Sequence, residues 1–301
     1  MNIIETHNLT RRFGRTEAVH GLDLQVPSGS VCALLGPNGA GKSTTIRMLL
    51  NLLHSTSGRA TVMGTDSRKL GPAELANIGY VAESQSLPLW MTVREYLDFC
   101  RPFYPRWDAT LEAKLLDLFE LPPERKMKHL SRGMVMKTAL LSSLAYRPPL
   151  LVLDEPFAGL DPLVRDEFVR GMLEISELGD WTVLVSSHDI EEVERLCDRV
   201  AVIYAGRLKF NETTDALLGR FRRVEVTGAT NATPVSGGLE WTQAGALTSW
   251  VEPAYAGEST ERAWRERFPG ASVNASPMTL REIYLALAHS ERAGAKKEEA
   301  A

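Results

Sequence analysis

The sequence predicts an α/β fold: a parallel sheet wrapped by helices, interrupted by a helical insert and followed by a small α+β appendage. Three observations predict it. Short runs rich in Val, Leu and Ile alternate with helical patterns. Strand signals vanish between Ala82 and Leu150, where helix signals take over. Past Phe221 the texture shifts to Thr, Gly, Ser and Ala, with only short apolar pieces.

With 301 residues, 44% hydrophobic and 24% charged, the chain can bury a substantial core, which excludes a disordered or fibrous protein. A net charge of −4 gives no global positive field to draw it onto nucleic acid or anionic lipid. Cys32, Cys100 and Cys197 are too scattered for a zinc site or a disulfide frame and read as buried thiols of a reducing compartment. No run approaches the ~20 apolar residues of a membrane-spanning helix. The opening MNIIETHNLTRR lacks the apolar core of a signal peptide. The expectation is a cytoplasmic protein that reaches a membrane only through a partner.

In chain order, residues 30–35 (SVCALL) read as a buried strand, followed by a glycine-rich loop and a helix over 41–53, with a turn at 55–58. Further strands are expected at 78–82, 150–153, 182–186 and 200–204. Inside the insert, placed at 84–149, Thr92 and Glu95 form a capping box for a helix over 96–101. An amphipathic helix over 111–121 stops at Pro122-Pro123. Ser131 is the N-cap of a helix carrying Met134, Leu140, Leu141 and Leu144 on one stripe. Asp161-Pro162 offers an N-cap and a proline at the first helical position for 163–178. Ala205-Gly206 joins two short strands, and 213–218 closes the first domain, placed at 1–219. The appendage, 220–289, carries strands at 224–226 and 248–251 and helices at 260–268 and 280–288; residues 290–301 read as a frayed tail.

Gly36-Pro37-Asn38-Gly39-Ala40-Gly41-Lys42-Ser43 matches G-x-x-x-x-G-K-[ST] between a predicted strand and a predicted helix, the context that gives this pattern meaning. Glycines let the backbone curl so that successive N–H groups face phosphate oxygens. The helix N-terminus adds partial positive charge. Lys42 brings a full charge to the β- and γ-phosphates, and the Ser43 hydroxyl can ligate Mg²⁺. Thr44, next along the helix, is counted with the binding set. The pattern points to a nucleoside triphosphate.

The strand at 150–153 runs into Asp154-Glu155. The first carboxylate can hold Mg²⁺ directly or through water, and the second can polarise an attacking water as general base. Two solvated acids at a strand end are common alone; sharing a sheet with the phosphate loop gives them functional weight. His188, in Ser186-Ser187-His188-Asp189, follows another strand. A lone histidine there is most often structural. The C-terminal edge of an open α/β sheet is where ligands bind, which makes His188 a candidate to contact the γ-phosphate and hold the water. Ser131-Arg132-Gly133-Met134 opens a helix, where a Ser and a Gly serve equally as ordinary N-cap and as anion cradle.

Taken in order, the phosphate loop, Leu130-Ser131-Arg132-Gly133-Met134, the acidic strand, Gly159-Leu160-Asp161 and His188 resemble the nucleotide-binding subunits of ABC transporters, over residues 2–212. The resemblance implies a P-loop ATPase core of ABC type with a β-subdomain and an inserted α-helical subdomain. It implies that Phe13 stacks on adenine, that Glu155 is the general base, that Asp154 and Ser43 are Mg²⁺ partners and that His188 senses the γ-phosphate. Ser131 and Gly133 would contact ATP held by the opposite subunit, and Asp161 would lie at that seam. Two departures are visible. Glu83 stands where the family commonly has Gln, with Gln85 the alternative if the register slips, and the signature carries Arg132 and Met134 in place of the usual Gly and Gln.

The same resemblance implies ATP and Mg²⁺, a head-to-tail dimer (homodimer or heterodimer) and a separate membrane permease, which the subunit meets as a peripheral protein on the cytoplasmic face of the membrane, with no nucleic acid partner. The segment 86–91 (SLPLWM) is apolar for a loop and is expected to help form the groove for a permease helix, against the alternative that Leu87 and Trp90 pack into the insert. The wording around Glu83 and at 103–108 is similar to single-domain subunits paired with separate permeases, many of them exporters, so export is preferred. The alternative is a soluble ATPase of the same type acting on a protein or nucleic acid; one phosphate loop and an insert without sustained heptads count against it. The appendage offers no metal, nucleotide or catalytic constellation.

Overall fold

The chain divides into two units, Met1–Asn211 and Glu212–Ala301, in a computed structural model that describes residues 1–83, 85–176, 181–191, 193–229 and 233–299. The division falls ahead of the boundary expected at 219/220.

The first unit begins with β1 (Asn2–Phe13), β2 (Thr16–Leu22), β3 (Gln25–Pro27), β4 (Val31–Leu35), α1 (Lys42–Leu49), β5 (Ser57–Val62), β6 (Thr65–Asp66), α2 (Pro72–Leu75) and β7 (Ile78–Val81). The insert supplies α3 (Val93–Cys100), α4 (Ala109–Leu118) and α5 (Arg132–Leu144). The core then resumes with β8 (Leu150–Asp154), α6 (Pro162–Ser176), β9 (Thr182–Ser187), β10 (Arg199–Tyr204) and β11 (Arg207–Thr213).

Six strands form the central sheet in the order β11-β10-β4-β9-β8-β7. The pairs from β10 to β7 are parallel. Every residue of β8 and β9 is buried, which is why they carry aliphatic runs at 150–153 and 183–185. β10 turns into β11 through Ala205 and Gly206, both at positive φ (47° and 75°), the conformation of a two-residue hairpin that follows strand twist.

A second sheet, β2-β1-β5-β6 with β3 also paired to β1, is antiparallel. Its Ile4, Leu9, Val26 and Val62 share one core cluster with Leu34, Ile46, Val152 and Ile203 of the parallel layer and α1. The core therefore fills the space between two sheets and the helix that follows the phosphate loop.

The insert starts where the capping chemistry says it should. Thr92 Oγ1 accepts from the Glu95 N–H at 3.1 Å, and Glu95 Oε2 accepts from the Thr92 N–H at 2.8 Å. Asp108 and Ser131 cap α4 and α5 by accepting from Leu111 and Met134 N–H groups. Asp161 Oδ1 accepts from the N–H groups of Leu163 and Val164, at 3.1 Å each, and starts α6 at Pro162. The expected end of that helix, Leu178, lies outside the described residues.

α5 also covers an exposed sheet edge. β7 is the last strand of the parallel sheet, and its outer carbonyls would otherwise lack partners. Tyr146 OH donates to Ile78 O at 2.8 Å, and Ser143 Oγ donates to Tyr80 O at 3.2 Å. Gly79 lies between them, where a methyl would fall 2.7 Å from Ser143 O and from Leu151 Cδ1.

The second unit contains α7 (Thr214–Arg220), β12 (Arg222–Thr227), β13 (Leu239–Ala244), β14 (Leu247–Glu252), α8 (Glu258–Arg267), β15 (Ser272–Pro277) and α9 (Leu280–Glu299). Its antiparallel sheet has the order β13-β14-β12-β15. Val224, Val226, Trp250, Trp264 and Phe268 form its core. β13 and β15 were not legible because their residues are mostly half-buried or exposed and largely polar. α9 runs through Glu299, so the segment read as a frayed tail is helical that far; Ala, Glu, Lys and Arg are strong helix formers even without an apolar face. Among the described residues no helix is long and apolar enough to cross a membrane.

Two measurements check this packing. Tyr146→Phe leaves the Ile78 carbonyl buried without its donor and is expected to lower stability by about 1–3 kcal/mol in urea unfolding. Burial pushes the Cys32 thiol up to about 12, so it stays protonated and inert at pH 8. Peptide mapping after treatment with a disulfide reagent should find Cys32 unlabelled in the native protein and labelled after unfolding.

Candidate functional site

β4 ends at Leu35, and residues 36–41 turn the chain into α1. Two glycines there are dictated by close approach. A methyl at Gly36 would lie 2.2 Å from Ile203 O, and one at Gly41 would lie 2.5 Å from Ala18 O. Gly41 also holds φ at 105°, a conformation that L side chains rarely adopt. The loop is tied to its surroundings by Gly36 N–H to Ser187 O at 3.3 Å and Gly206 N–H to Ala40 O at 3.0 Å.

A cavity of about 450 Å³ opens over this loop. It is lined by Ala18, Asn38, Gly39, Ala40, Gly41, Lys42, Ser43, Thr44, Glu83, Glu155 and His188. The strand ends of β7, β8 and β9 thus deliver Glu83, Glu155 and His188 to the same edge of the sheet as the phosphate loop, as the parallel topology requires.

Lys42 is 5% exposed. Its Nζ donates to Gly36 O at 2.6 Å and Pro37 O at 3.2 Å and forms an ion pair with Glu155 Oε1 at 3.0 Å. Glu155 Oε1 is buried and meets the ammonium by charge alone, without hydrogen-bond geometry. Its other oxygen, Oε2, lies 2.7 Å from His188 Nδ1. A carboxylate oxygen accepts from a ring N–H, so Nδ1 donates here, while Nε2 accepts in the neutral ring and donates in the protonated one. His188 is half-exposed and faces the cavity with that ring.

Asp154 lies one residue back, buried. Its Oδ1 accepts from Ser43 Oγ at 3.0 Å and from Ser186 Oγ at 2.8 Å. Ser186 Oγ accepts in turn from the Glu155 N–H at 2.9 Å. Ser186 escaped the sequence reading because a serine at a strand end carries no motif; the available signal was two consecutive hydroxyls, Ser186-Ser187, breaking an aliphatic strand just before His188. Ala18, another lining residue, carries no chemical signal at all.

The remaining expected residues lie elsewhere. Phe13 is the last residue of β1, is half-exposed with the Arg11 guanidinium 4.5 Å from its ring centre, and does not line the cavity. Pro37 and Gly36 contribute carbonyls to Lys42. Ser131, Gly133 and Asp161 are absent from the cavity lining. Ser131 and Asp161 act as helix caps, and Gly133 is buried where a methyl would fall 2.4 Å from Val164 Cγ1. Of the two register alternatives, Glu83 lines the cavity, whereas Gln85 accepts from the Ala82 N–H at 3.1 Å.

A second cavity of about 260 Å³ is lined by Leu50, Leu52, Leu75 and Tyr80 of the core and Tyr96, Tyr104 and Tyr146 of the insert, among others. None of residues 86–91 lines it. Leu87 is buried, while Leu89 and Trp90 are exposed.

The Ser43 hydroxyl and the Asp154 and Glu83 carboxylates are hard oxygen donors of the kind that suit Mg²⁺. Among the described residues no group of three or more His, Cys, Asp or Glu could hold a metal alone. A cation here would need phosphate and water to complete its shell, which is how Mg²⁺ binds in phosphoryl-transfer sites.

Residues 19–158 match the family model described as ABC transporter. The sulfate/thiosulfate import ATP-binding protein CysA of Escherichia coli strain K12 is 35% identical over 221 residues, 70% of this chain and 60% of that protein. The match thus spans less than two thirds of such relatives. A solved ATP-binding subunit of an ABC transporter is similar with a TM-score of 0.64 at 29% identity, covering 71% of this chain and 91% of the other. A bacterial Atm1-family ABC exporter with ATP bound is similar with a TM-score of 0.62 at 25% identity, over 72% of this chain and 39% of that one. The chain belongs, through its first unit, to the ATP-binding cassettes of the ABC transporter family.

Proposed function

We propose that the protein binds and hydrolyses MgATP at the 450 Å³ cavity and, as an ATP-binding subunit, drives a separate membrane permease from the cytoplasmic face. The observation that carries this is the convergence of Lys42, Glu155 and His188 on one cavity floored by the phosphate loop.

The backbone of residues 36–43 and the N-terminus of α1 bind the phosphates. Lys42 exchanges its two carbonyls and the Glu155 carboxylate for β- and γ-phosphate oxygens. That exchange frees Glu155, which accepts a proton from the attacking water, while His188 Nε2 accepts from that water as a neutral ring or donates to the γ-phosphate as an imidazolium. Ser43, Asp154 and Glu83 would hold Mg²⁺, which supplies charge neutralisation at the phosphate oxygens when bound. Phe13 is proposed to stack on adenine from outside the present cavity lining.

Ser131 and Gly133 open α5, away from the cavity of their own chain. In this reading they serve the nucleotide of a second cassette, identical or homologous, with Asp161 at the seam. ATP then holds two subunits head to tail, and hydrolysis loosens them, a two-state element that a permease can follow. The groove between core and insert, with its tyrosines, is the proposed seat of a permease helix. Relatives of the same fold are named for sulfate/thiosulfate import and for export alike. The preference for export therefore finds no support there, and direction belongs to the permease.

The test uses Glu155→Gln, which keeps shape and removes the base. ATP turnover should fall at least about 100-fold while MgATP binding persists, and light scattering should find a dimer with MgATP and a monomer without. Adding Ser131→Arg should abolish that dimer. Undiminished turnover in Glu155→Gln would remove Glu155 as base, and a dimer that survives Ser131→Arg would remove the shared-nucleotide architecture.

A further inference from the structure

Ser186 has a role that neither the phosphate loop nor the acidic pair explains. It is fully buried, at the position of β9 that pairs with Asp154 of β8. Its hydroxyl spends both of its functions on the two acids: it accepts from the Glu155 N–H at 2.9 Å and donates to Asp154 Oδ1 at 2.8 Å. Glu155 itself has left the strand. Its φ is 50°, in the left-handed region that a non-glycine residue occupies only when its surroundings hold it there. That turn aims one carboxylate oxygen at Lys42 and the other at His188. The other hydrogen bond to Asp154 Oδ1 comes from Ser43, so Ser186 and Ser43 hold that carboxylate from two elements.

We infer that Ser186 is a positioning residue of this site, whose hydroxyl, itself oriented by the Asp154 carboxylate that Ser43 also holds, latches the backbone of Glu155 in its left-handed turn. The inference rests on the hydrolytic reading above and adds to it the group that sets the aim of the base. An aliphatic side chain here would leave the Glu155 N–H buried without an acceptor, and the cheapest relief is to let the turn relax. A shift of about 1 Å in a reacting group can cost on the order of 100-fold in rate.

The experiment compares full-length wild type, Ser186→Ala, Ser186→Thr, Glu155→Gln and the double variant Glu155→Gln/Ser186→Ala. It measures kcat, KM, MgATP affinity by calorimetry and melting temperature. Glu155→Gln is the control for the underlying reading: should it turn over ATP like wild type, hydrolysis through Glu155 fails whatever Ser186 does. With that control in place, Ser186→Ala should lower kcat about 10–100-fold while KM and MgATP affinity stay within about threefold, the signature of a defect felt only in the chemical step. Ser186→Thr, which keeps the hydroxyl, should recover most of kcat. Ser186→Ala should add no further loss once Glu155 is Gln. If the alanine variant lacks a native melting transition, Ser186→Cys takes its place, near in size and weak as an acceptor, with the same direction of effect. A lowered melting temperature with kcat unchanged would overturn the inference. So would a loss that Thr does not recover, or an equal loss in the Glu155→Gln background.

Discussion

A buried ammonium organises this site. Lys42 is almost withdrawn from water, and an uncompensated charge there would cost several kcal/mol. The compensation comes from three places at once: the Gly36 and Pro37 carbonyls of its own loop and the Glu155 carboxylate from the end of β8. For these to meet, the loop must curl as tightly as Gly36 and Gly41 allow, and Glu155 must leave its strand in a left-handed turn. The parallel order of β4, β9 and β8 brings the three strand ends to one edge. The arrangement is also exchangeable. In the proposed reading terminal phosphates offer Lys42 more negative charge than Glu155 does, and their entry frees the carboxylate to take a proton from the attacking water.

The parallel sheet was legible because burial on both faces writes short aliphatic runs, as at 150–153 and 183–185. The antiparallel sheet was not. Asn8 at φ 48° and the register shifts along β1 break the alternation of inward and outward residues on which strand reading depends. Helix caps were legible to the residue at Thr92, Ser131 and Asp161, because a cap is a local hydrogen bond between near neighbours in sequence, although α3 starts at Val93 and not at the expected 96. Ser186 was not legible, because its partners Asp154 and Glu155 lie on another strand and only the register of β8 against β9 joins them. The same holds for Glu83 against Gln85: a two-residue ambiguity in sequence became a choice between lining a cavity and closing a turn.

One departure from the family signature, Arg132, has a local explanation. Arg132 takes the place of a small residue at the start of α5, and its guanidinium occupies space left by Gly159, where a methyl would fall 2.2 Å from an Arg132 nitrogen. Gly159 holds φ at 69°, in the loop between Glu155 and Asp161. The signature helix and the loop that follows the proposed base thus touch within one chain. The second unit has its own sheet and its own tryptophan-rich core, with Trp250 between Trp241 and Trp264.

The most direct test of the central claim is calorimetric titration of the wild-type protein with ATP and with AMP in the presence of Mg²⁺. If the loop and the Lys42 ammonium grip the terminal phosphates, ATP should bind at least about 100-fold more tightly than AMP, a difference of roughly 2.7 kcal/mol. Equal affinities would mean that the grip is on the nucleoside and that the buried lysine does something else.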